Sequence, residues 1–408
     1  MVGVRAALIG VAGFGRVHCA DLLRLSERGE ARIAAATIRD EARAPEHAAA
    51  LRGAGARIFS DYREMLAALK GEIDLCFIPT GIHLHEKMTV DALEAGANVF
   101  VEKPAAATIG QVERMRAAEA TAGRFVAVGY QTMYAPETLT MKRAILDGTI
   151  GALEAVKCRG LWPRPDTYYE KPWIGRIREG NIWILDSPFN NAFAHQLNMV
   201  AFLAGRELAR TAELAAIEAE LYSARDIETA DTAAMRIRTR DDAPLYFLVS
   251  HCPEGVLNPE IVVRGSRGRI HWTPERLLIE RDGAVVTEME CLTGTDLRDT
   301  MLRAVLKRIA EPQHFVCTLE VAAAETLAAN GAHLSSPVHP VPKDIVRRVP
   351  QDSSMRTVIA GLDELIARAF TEEKLPSELC VPWAAPGKKV ALDQAAIAAA
   401  YPETEESP

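Results

Sequence analysis

The chain has 408 residues, 49% of them apolar and 25% charged, with a net charge of −8 at pH 7. That length supports two domains, each with its own core, and the mixed, net-acidic surface argues against a nucleic-acid or membrane-surface partner, which such charge would not attract. Seven cysteines, odd in number and without a CxxC pair, read as free thiols in a reducing cytoplasm; no structural zinc or other metal site is expected.

In chain order, the apolar stretch after Arg5 is too short for a signal-peptide core and runs instead into a glycine-rich turn. Short apolar runs at 5–10, 32–38, 73–78, 98–101 and 125–129 read as strands separated by amphipathic helices, the pattern of a parallel α/β sheet. Asp61 caps one of these helices and Gly96 closes another. After Tyr130 the pattern becomes α+β: a helix over 136–147, a strand over 151–161, and a Trp-, Pro- and Tyr-rich loop over 162–178. A helix over 188–204 and mainly antiparallel strands over 231–290 follow. Met235, Ile237 and Thr239 alternate with Arg236, Arg238 and Arg240, giving one apolar and one wet face. Residues 245–249 are apolar on both faces, so a helix or another subunit must cover the second. Helices are expected over 299–310, 318–330 and 354–370, with an extended proline-rich stretch over 337–350. The domains implied are 1–130, 131–350 and a C-terminal helix and tail over 351–408.

The first strand enters Gly10-Val11-Ala12-Gly13-Phe14-Gly15, followed by a helix. A dinucleotide pyrophosphate needs a tight turn, close backbone approach and a helix N-terminus with N–H groups facing the anion, and glycine provides the first two. Ala12 stands where the second glycine of the usual fingerprint would be. At the end of the second strand Ile38 holds the slot of a ribose-binding acid. Arg39 next to it can meet a 2′-phosphate, stack on adenine or lie in solvent, so NAD and NADP stay open.

Pro79-Thr80-Gly81-Ile82-His83, the helix end Ala92-Leu93-Glu94-Ala95-Gly96, Glu102-Lys103-Pro104 and Val128-Gly129-Tyr130-Gln131 follow in that order. This series resembles the glucose–fructose oxidoreductase / inositol dehydrogenase / MocA family, well over residues 5–160 and more loosely through Trp173, His195 and Gly265-Ser266-Arg267-Gly268. The resemblance implies a Rossmann domain followed by a domain with an open-faced, mainly antiparallel sheet. It also implies an NAD(P) cofactor with its nicotinamide between the two, a sugar or polyol substrate, and a homo-oligomer packed through the exposed sheet face. Gly10, Ala12, Gly13, Phe14, Gly15, Arg39, Pro79, Thr80, His83, Glu102, Lys103 and Gln131 would then line the cofactor. A cis bond before Pro104 would aim Lys103 into the cleft.

Alcohol oxidation by a nicotinamide requires a base for the hydroxyl proton and a donor that orients the oxygen. In enzymes of the resembled family a lysine after glutamate and an Asp-x-x-x-His helix pair fill these roles, and the matching positions here are Lys103, Asn191 and His195. Asn191 replaces the acid, so the carboxylate that would favour a protonated imidazole is missing from that position. Asp186 reads as a helix start facing away. Asn190 or Asn191 would position the sugar. Trp162, Arg164, Tyr169 and Trp173 form a substrate-side set in which aromatic planes suit sugar C–H faces and arginine suits hydroxyls, a carboxylate or a phosphate; anchoring the loop to the core is the plainer role. His333 is a weaker candidate, read on a helix-ending loop. Two alternatives share the scaffold: an NAD-dependent redox-neutral glycosidase and a non-catalytic NAD(P)-binding sensor.

Overall fold

The computed structural model describes residues 3–241 and 243–402. They form two compact units. The first comprises the described residues up to 106, then 111–134 and 298–322. Its parallel sheet takes the order β3-β2-β1-β4-β5-β6 from β1 (Val4–Ile9), β2 (Ala31–Thr37), β3 (Arg57–Phe59), β4 (Leu75–Ile78), β5 (Asn98–Val101) and β6 (Val126–Val128). The doubly wound order is that of dinucleotide-binding sheets. Strands such as β4 are buried at every position, because helices cover both faces of a parallel sheet. Those helices are α1 (Gly15–Glu27), α2 (Pro45–Gly53), α3 (Tyr62–Ala68), α4 (Ile82–Glu94) and α5 (Ile109–Ala122). The Asp61 carboxylate caps α3 by accepting the Arg63 N–H at 2.6 Å, and Gly96 leaves α4 at φ +89°.

Residues 298–322, placed by sequence in the second domain, belong to the first unit. Charge pairs fasten them there: Arg298 to Asp21 at 2.9 Å, Arg24 and Arg28 to Asp299, and Arg303 to Glu30 at 2.9 Å. The Val128 N–H also donates to the Cys317 carbonyl at 2.7 Å, extending the sheet past β6.

The second unit contains α6 (Pro136–Leu146), β7 (Leu153–Leu161), β8 (Arg178–Glu179), β9 (Ile182–Trp183), α7 (Ala194–Leu203), β10 (Leu214–Ser223), β11 (Thr232–Thr239), β12 (Pro244–Ser250), β13 (Leu257–Gly265), β14 (Gly268–Trp272), β15 (Arg276–Arg281) and β16 (Ala284–Glu290). Helix α8 (Gly294–Ala310) leads back into the first unit and α9 (Leu319–Ser335) out of it. The remainder is β17 (Val338–Pro340), β18 (Val346–Gln351), β19 (Ser354–Ile359), α10 (Leu362–Glu372), β20 (Val390–Ala391) and α11 (Gln394–Ala399). One large sheet runs β16-β15-β14-β13-β7-β12-β11-β10-β17, with β20 also on β10; only β7–β12 and β10–β17 pair in parallel. The alternation read in β11 is present: Met235 and Ile237 are buried, while Arg236 bridges Glu218 and Glu378.

Three expectations change. The helix expected over 188–204 starts only at Ala194, because residues 188–193 are held in turns. There the Asn190 side chain donates to the Leu185 carbonyl at 2.9 Å and the Phe193 N–H reaches Pro188 at 2.7 Å, local bonds that compete with a helix. The helix expected over 354–370 divides into strand and helix: Thr357-Val358-Ile359 is β-branched and pairs with β18, and Gly361 at φ +73° starts α10. The sheet face expected to be open is covered by α10 over its central strands. Leu365, Ile366 and Ala369 join Leu161, Ala234 and Leu248 in one core, and the Arg159 guanidinium lies 4.6 Å from the Phe370 ring. The opposite face meets α7 and the ring of Phe193, against which Gly160 packs so closely that a Cβ would sit 2.5 Å away. The second face of 245–249 is therefore covered by the chain's own helix.

Candidate active site

In the first unit the C-terminal ends of β1, β4, β5 and β6 open on the same edge of the sheet, where ligands of such sheets bind. After β1, Gly10 takes φ +94° and Gly13 φ +55°. A Cβ on Gly15 would lie 2.6 Å from the Gly10 carbonyl oxygen and 3.5 Å from Pro79 Cγ, so this turn admits no side chain there. No side chain caps α1, and its first turn carries no acid. These features fit a pyrophosphate, whose oxygens would meet the helix N-terminus without competing charge. Ala12 and Phe14 are exposed around the turn. Pro79 and Thr80 border it from the end of β4, with Thr80 Cγ2 3.8 Å from the Cβ position of Gly10. His83 packs on Gly81, and Gln131 follows β6 in a short 3-10 turn. At the end of β2, Ile38 is buried and Arg39 exposed, while Asp40 turns back to cap residues 41–43.

The Lys103–Pro104 bond is cis, and Lys103 is half-buried. Sequence reasoning missed the residue that fixes its neighbour. His18, one turn into α1, sits among Phe14, Phe77 and Phe100, and its Nε2–H donates to Glu102 Oε1 at 2.8 Å. The other Glu102 oxygen accepts the Lys103 N–H at 3.1 Å. Burial alone would raise the Glu102 pKa, but the His18 hydrogen bond and the charges of His18 and Lys103 hold it below the ordinary glutamate value. The signal was available, since His18 follows the last glycine of the turn by three residues and so faces inward with it. A second missed residue, His85, lies buried between the carbonyls of Thr80 (3.1 Å) and Pro104 (2.9 Å), joining the two loops.

In the second unit His195 is half-buried at the second position of α7. Asn191 lies in the preceding turn, so the expected same-face helix pair does not form. Its amide nitrogen donates to Asp186 Oδ1 at 2.9 Å and to the Tyr168 hydroxyl at 3.2 Å. Asp186 is no helix start: its other oxygen accepts the Gly175 N–H at 2.7 Å. Asn190 is buried, with its amide nitrogen on the carbonyls of residues 184 and 185, a loop-holding position.

Trp162, Arg164 and Tyr169 do come together. Trp162 stacks on Phe193 at 4.6 Å, the Arg164 guanidinium lies 5.6 Å from Trp162 and 5.0 Å from Tyr168, and Tyr168 meets Tyr169 edge-on. His251, at the end of β12, completes the group, with Nδ1 3.4 Å from the Tyr169 hydroxyl. Trp173 stands apart, with the Lys171 ammonium over its ring. His333 lies within α9, near Phe189, rather than on a loop. A cavity of about 430 Å³ lies at the far edge of the first sheet, lined by Arg5, Asp74, Asn98, Arg124 and Arg308 and away from the glycine turn. No helix among the described residues is long and apolar enough to cross a membrane.

A model of the oxidoreductase family with an NAD-binding Rossmann fold matches residues 4–130, and a model of the same family's C-terminal domain matches 138–271. Inositol 2-dehydrogenase of Klebsiella pneumoniae subsp. pneumoniae is 33% identical over 162 residues, covering 38% of this chain and 45% of the relative. Inositol 2-dehydrogenase 2 of Saccharopolyspora erythraea is 34% identical over 145 residues, covering 35% and 42%. The matched stretch thus spans less than half the length of these relatives. Among solved structures, an NAD-binding oxidoreductase from Klebsiella pneumoniae superposes with a TM-score of 0.68 at 18% identity, covering 82% of this chain and 97% of that one. The WlbA dehydrogenase from Bordetella pertussis, in complex with NADH and UDP-GlcNAcA, gives 0.65 at 21% identity, covering 83% and 99%. At these identities the superpositions establish the fold, while the two models together span well over half of the chain. The chain belongs to the glucose–fructose oxidoreductase / inositol dehydrogenase / MocA family of oxidoreductases.

Proposed function

We propose that the protein is an NAD(P)-dependent oxidoreductase that moves a hydride between the nicotinamide and a hydroxyl or carbonyl carbon of a sugar or polyol. The observation that carries this reading is the buried His18–Glu102 hydrogen bond. It ties the helix after the phosphate-binding turn to the Glu-Lys-Pro segment, so one element sets both the cofactor's anchor and the backbone of Lys103. The inositol dehydrogenases among the relatives support a polyol substrate.

The bound nicotinamide supplies the hydride acceptor or donor. Residues 10–15 with Pro79 and Thr80 hold the dinucleotide, and the β2 end, with Ile38 buried and Arg39 exposed, accommodates either NAD or NADP. Lys103 hydrogen-bonds the reacting oxygen. His195 takes the hydroxyl proton during oxidation and returns it during reduction, and Asn191, fastened to Asp186, orients the sugar. Trp162, Arg164 and Tyr169 receive the rest of the substrate. The unpaired cysteines support a cytoplasmic location, and subunit contacts are assigned to the β14–β16 end of the sheet, where Val285 and Val286 are exposed.

The test is the Lys103→Ala and His195→Ala pair assayed with a sugar and polyol panel. Each variant should lose about 10²- to 10⁴-fold in turnover while still binding the dinucleotide. Stoichiometric formation of reduced cofactor separates a dehydrogenase from a redox-neutral hydrolase, which retains its cofactor and releases free sugar. Turnover near wild type in both variants refutes the assignment.

A further inference from the structure

We infer that the substrate carries an anionic group, a carboxylate or phosphate, and that Arg164 receives it. The inference rests on the sugar-oxidoreductase reading and narrows its substrate class. Arg164 is half-buried, and its guanidinium lies over the rings of Trp162 and Tyr168, which present π-faces. Rings attract the cation but accept none of the in-plane N–H bonds, of which a guanidinium has five. Its Nε is buried with no acceptor, and no carboxylate among the described residues forms an ion pair with it. Arg24 and Arg225 also leave Nε without an acceptor, but each forms ion pairs through its terminal nitrogens.

Its neighbours show the contrast. Arg225 donates to Asp166 at 2.6 Å and to the Arg164 backbone carbonyl at 2.7 Å, and Arg348 binds the same Asp166. The other acids nearby are also committed. Both Asp186 oxygens accept bonds from Gly175 and Asn191, and the buried Asp231 accepts from Ala224, Ser223 and Thr232. Arg225 and Arg348 thus share an ion pair with Asp166, whereas Arg164 forms none among the described residues. His251, buried beside it with Nε2 unpartnered, is held well below the ordinary histidine pKa by burial and by the charges of Arg164 and Arg225.

A buried N–H without an acceptor is costly, and the in-plane fork of a guanidinium matches a carboxylate or phosphate. Because Tyr168 links this corner to Asn191, an anion on Arg164 would bring the sugar's hydroxyls to the side chain assigned to orient them.

The experiment is binding of four probes to the full chain with NAD+ or NADP+ present, followed by calorimetry and by tryptophan fluorescence. The probes are glucuronate and glucose-6-phosphate against neutral glucose and myo-inositol. The wild type should bind at least one anionic probe about tenfold or more tightly than glucose, the scale of a charge-assisted hydrogen bond. The preferred probe distinguishes carboxylate from phosphate. Arg164→Gln should erase the preference and Arg164→Lys restore part of it. A wild type that shows no anionic preference, whether it binds all probes alike or none, overturns the inference, as does a preference that survives in Arg164→Gln. The wild-type comparison stands even if a variant fails to fold. Thermal shifts with NAD+ and NADP+ are read separately: their absence would count against the oxidoreductase reading, not against the anion site.

Discussion

The His18–Glu102 contact makes a prediction that can be worked in energy. Both side chains are buried, and the carboxylate accepts two N–H donors, His18 Nε2–H at 2.8 Å and the Lys103 amide at 3.1 Å. His18→Ala removes one donor and leaves a buried carboxylate half-answered. Breaking a buried charged contact in this way costs about 3–5 kcal/mol, and loss of a single hydrogen bond to a charged group about 1.5–3 kcal/mol. Glu102→Gln is subtler: the amide oxygen can keep the Lys103 N–H, but its NH2 then meets His18 Nε2, which must give up its proton and leave the buried Nδ1–H without a partner. That variant should lose about 1–3 kcal/mol. At roughly 2–4 °C per kcal/mol for a unit of this size, His18→Ala should melt at least 5 °C or so below the wild type, and Glu102→Gln less. The pH dependence follows from the lowered Glu102 pKa. A depressed carboxylate stabilises the fold above the unfolded value near 4.5 and loses that contribution as pH falls through the folded value, so the wild type should lose stability below about pH 4.5 and His18→Ala should lose less. Urea denaturation across pH, with NAD(P)+ binding measured in parallel, reads both. An unchanged melting temperature together with unchanged cofactor affinity in His18→Ala would refute the claim that this bond fixes the Glu-Lys-Pro segment.

Gly15→Ala would place a Cβ 2.6 Å from the Gly10 oxygen, so calorimetry should show dinucleotide affinity falling about tenfold or more; Gly13→Ala, strained only by its φ of +55°, should fall less. Lys142 is fully buried, and burial pushes its pKa down to about 7, but it donates to the carbonyls of Phe202, Gly205 and Arg210. A neutral amine has two N–H bonds for three acceptors, so the charged form fits the end of α7, and Lys142→Met should cost about 2–4 kcal/mol in urea denaturation. His333 has its pKa lowered by burial to about 4, so stability present above about pH 6.5 should fall as pH drops toward 4, by up to about 3 kcal/mol, because the unfolded chain then binds the proton first. His333→Leu should flatten that slope between pH 7.5 and 4.5; identical slopes would exclude His333 as its source.

What could be read from the sequence was local. The glycine turn, the alternation of short apolar strands with helices and the Glu-Lys-Pro strand end each announce themselves within about ten residues, and each lies where pattern places it. The alternation around Met235 and Arg236 likewise gave the two faces of β11. What escaped depends on partners distant in sequence. Residues 298–322 look like one more amphipathic stretch, and contacts with Asp21, Arg24, Arg28, Glu30 and Val128, all distant in sequence, explain their return. Residues 354–359 read in sequence as part of one helix over 354–370, while their strand character depends on pairing with 346–351. The two apolar faces of β12 pointed to a cover without identifying it. Asn190 and Asn191 are adjacent and chemically equal in sequence, yet one is turned to loop carbonyls and the other to Asp186 and Tyr168.

The last of these contacts changes the meaning of the amide at 191. On spacing alone, asparagine there looks like a carboxylate lost from the reaction centre. In the fold the carboxylate is present one contact away, on Asp186, and the Asn191 amide nitrogen is its donor at 2.9 Å. An aspartate at 191 would therefore not restore a missing charge; it would set two carboxylates against each other within a few ångströms in a half-buried turn, and the pair could ionise fully only at a raised pH. Asn191→Asp should accordingly lower turnover at neutral pH and shift the acidic limb of the pH profile upward, with Asn191→Ser milder because it introduces no second charge. Were Asn191→Asp instead faster than wild type with an unshifted profile, the carboxylate at Asp186 would not be standing in for one at 191.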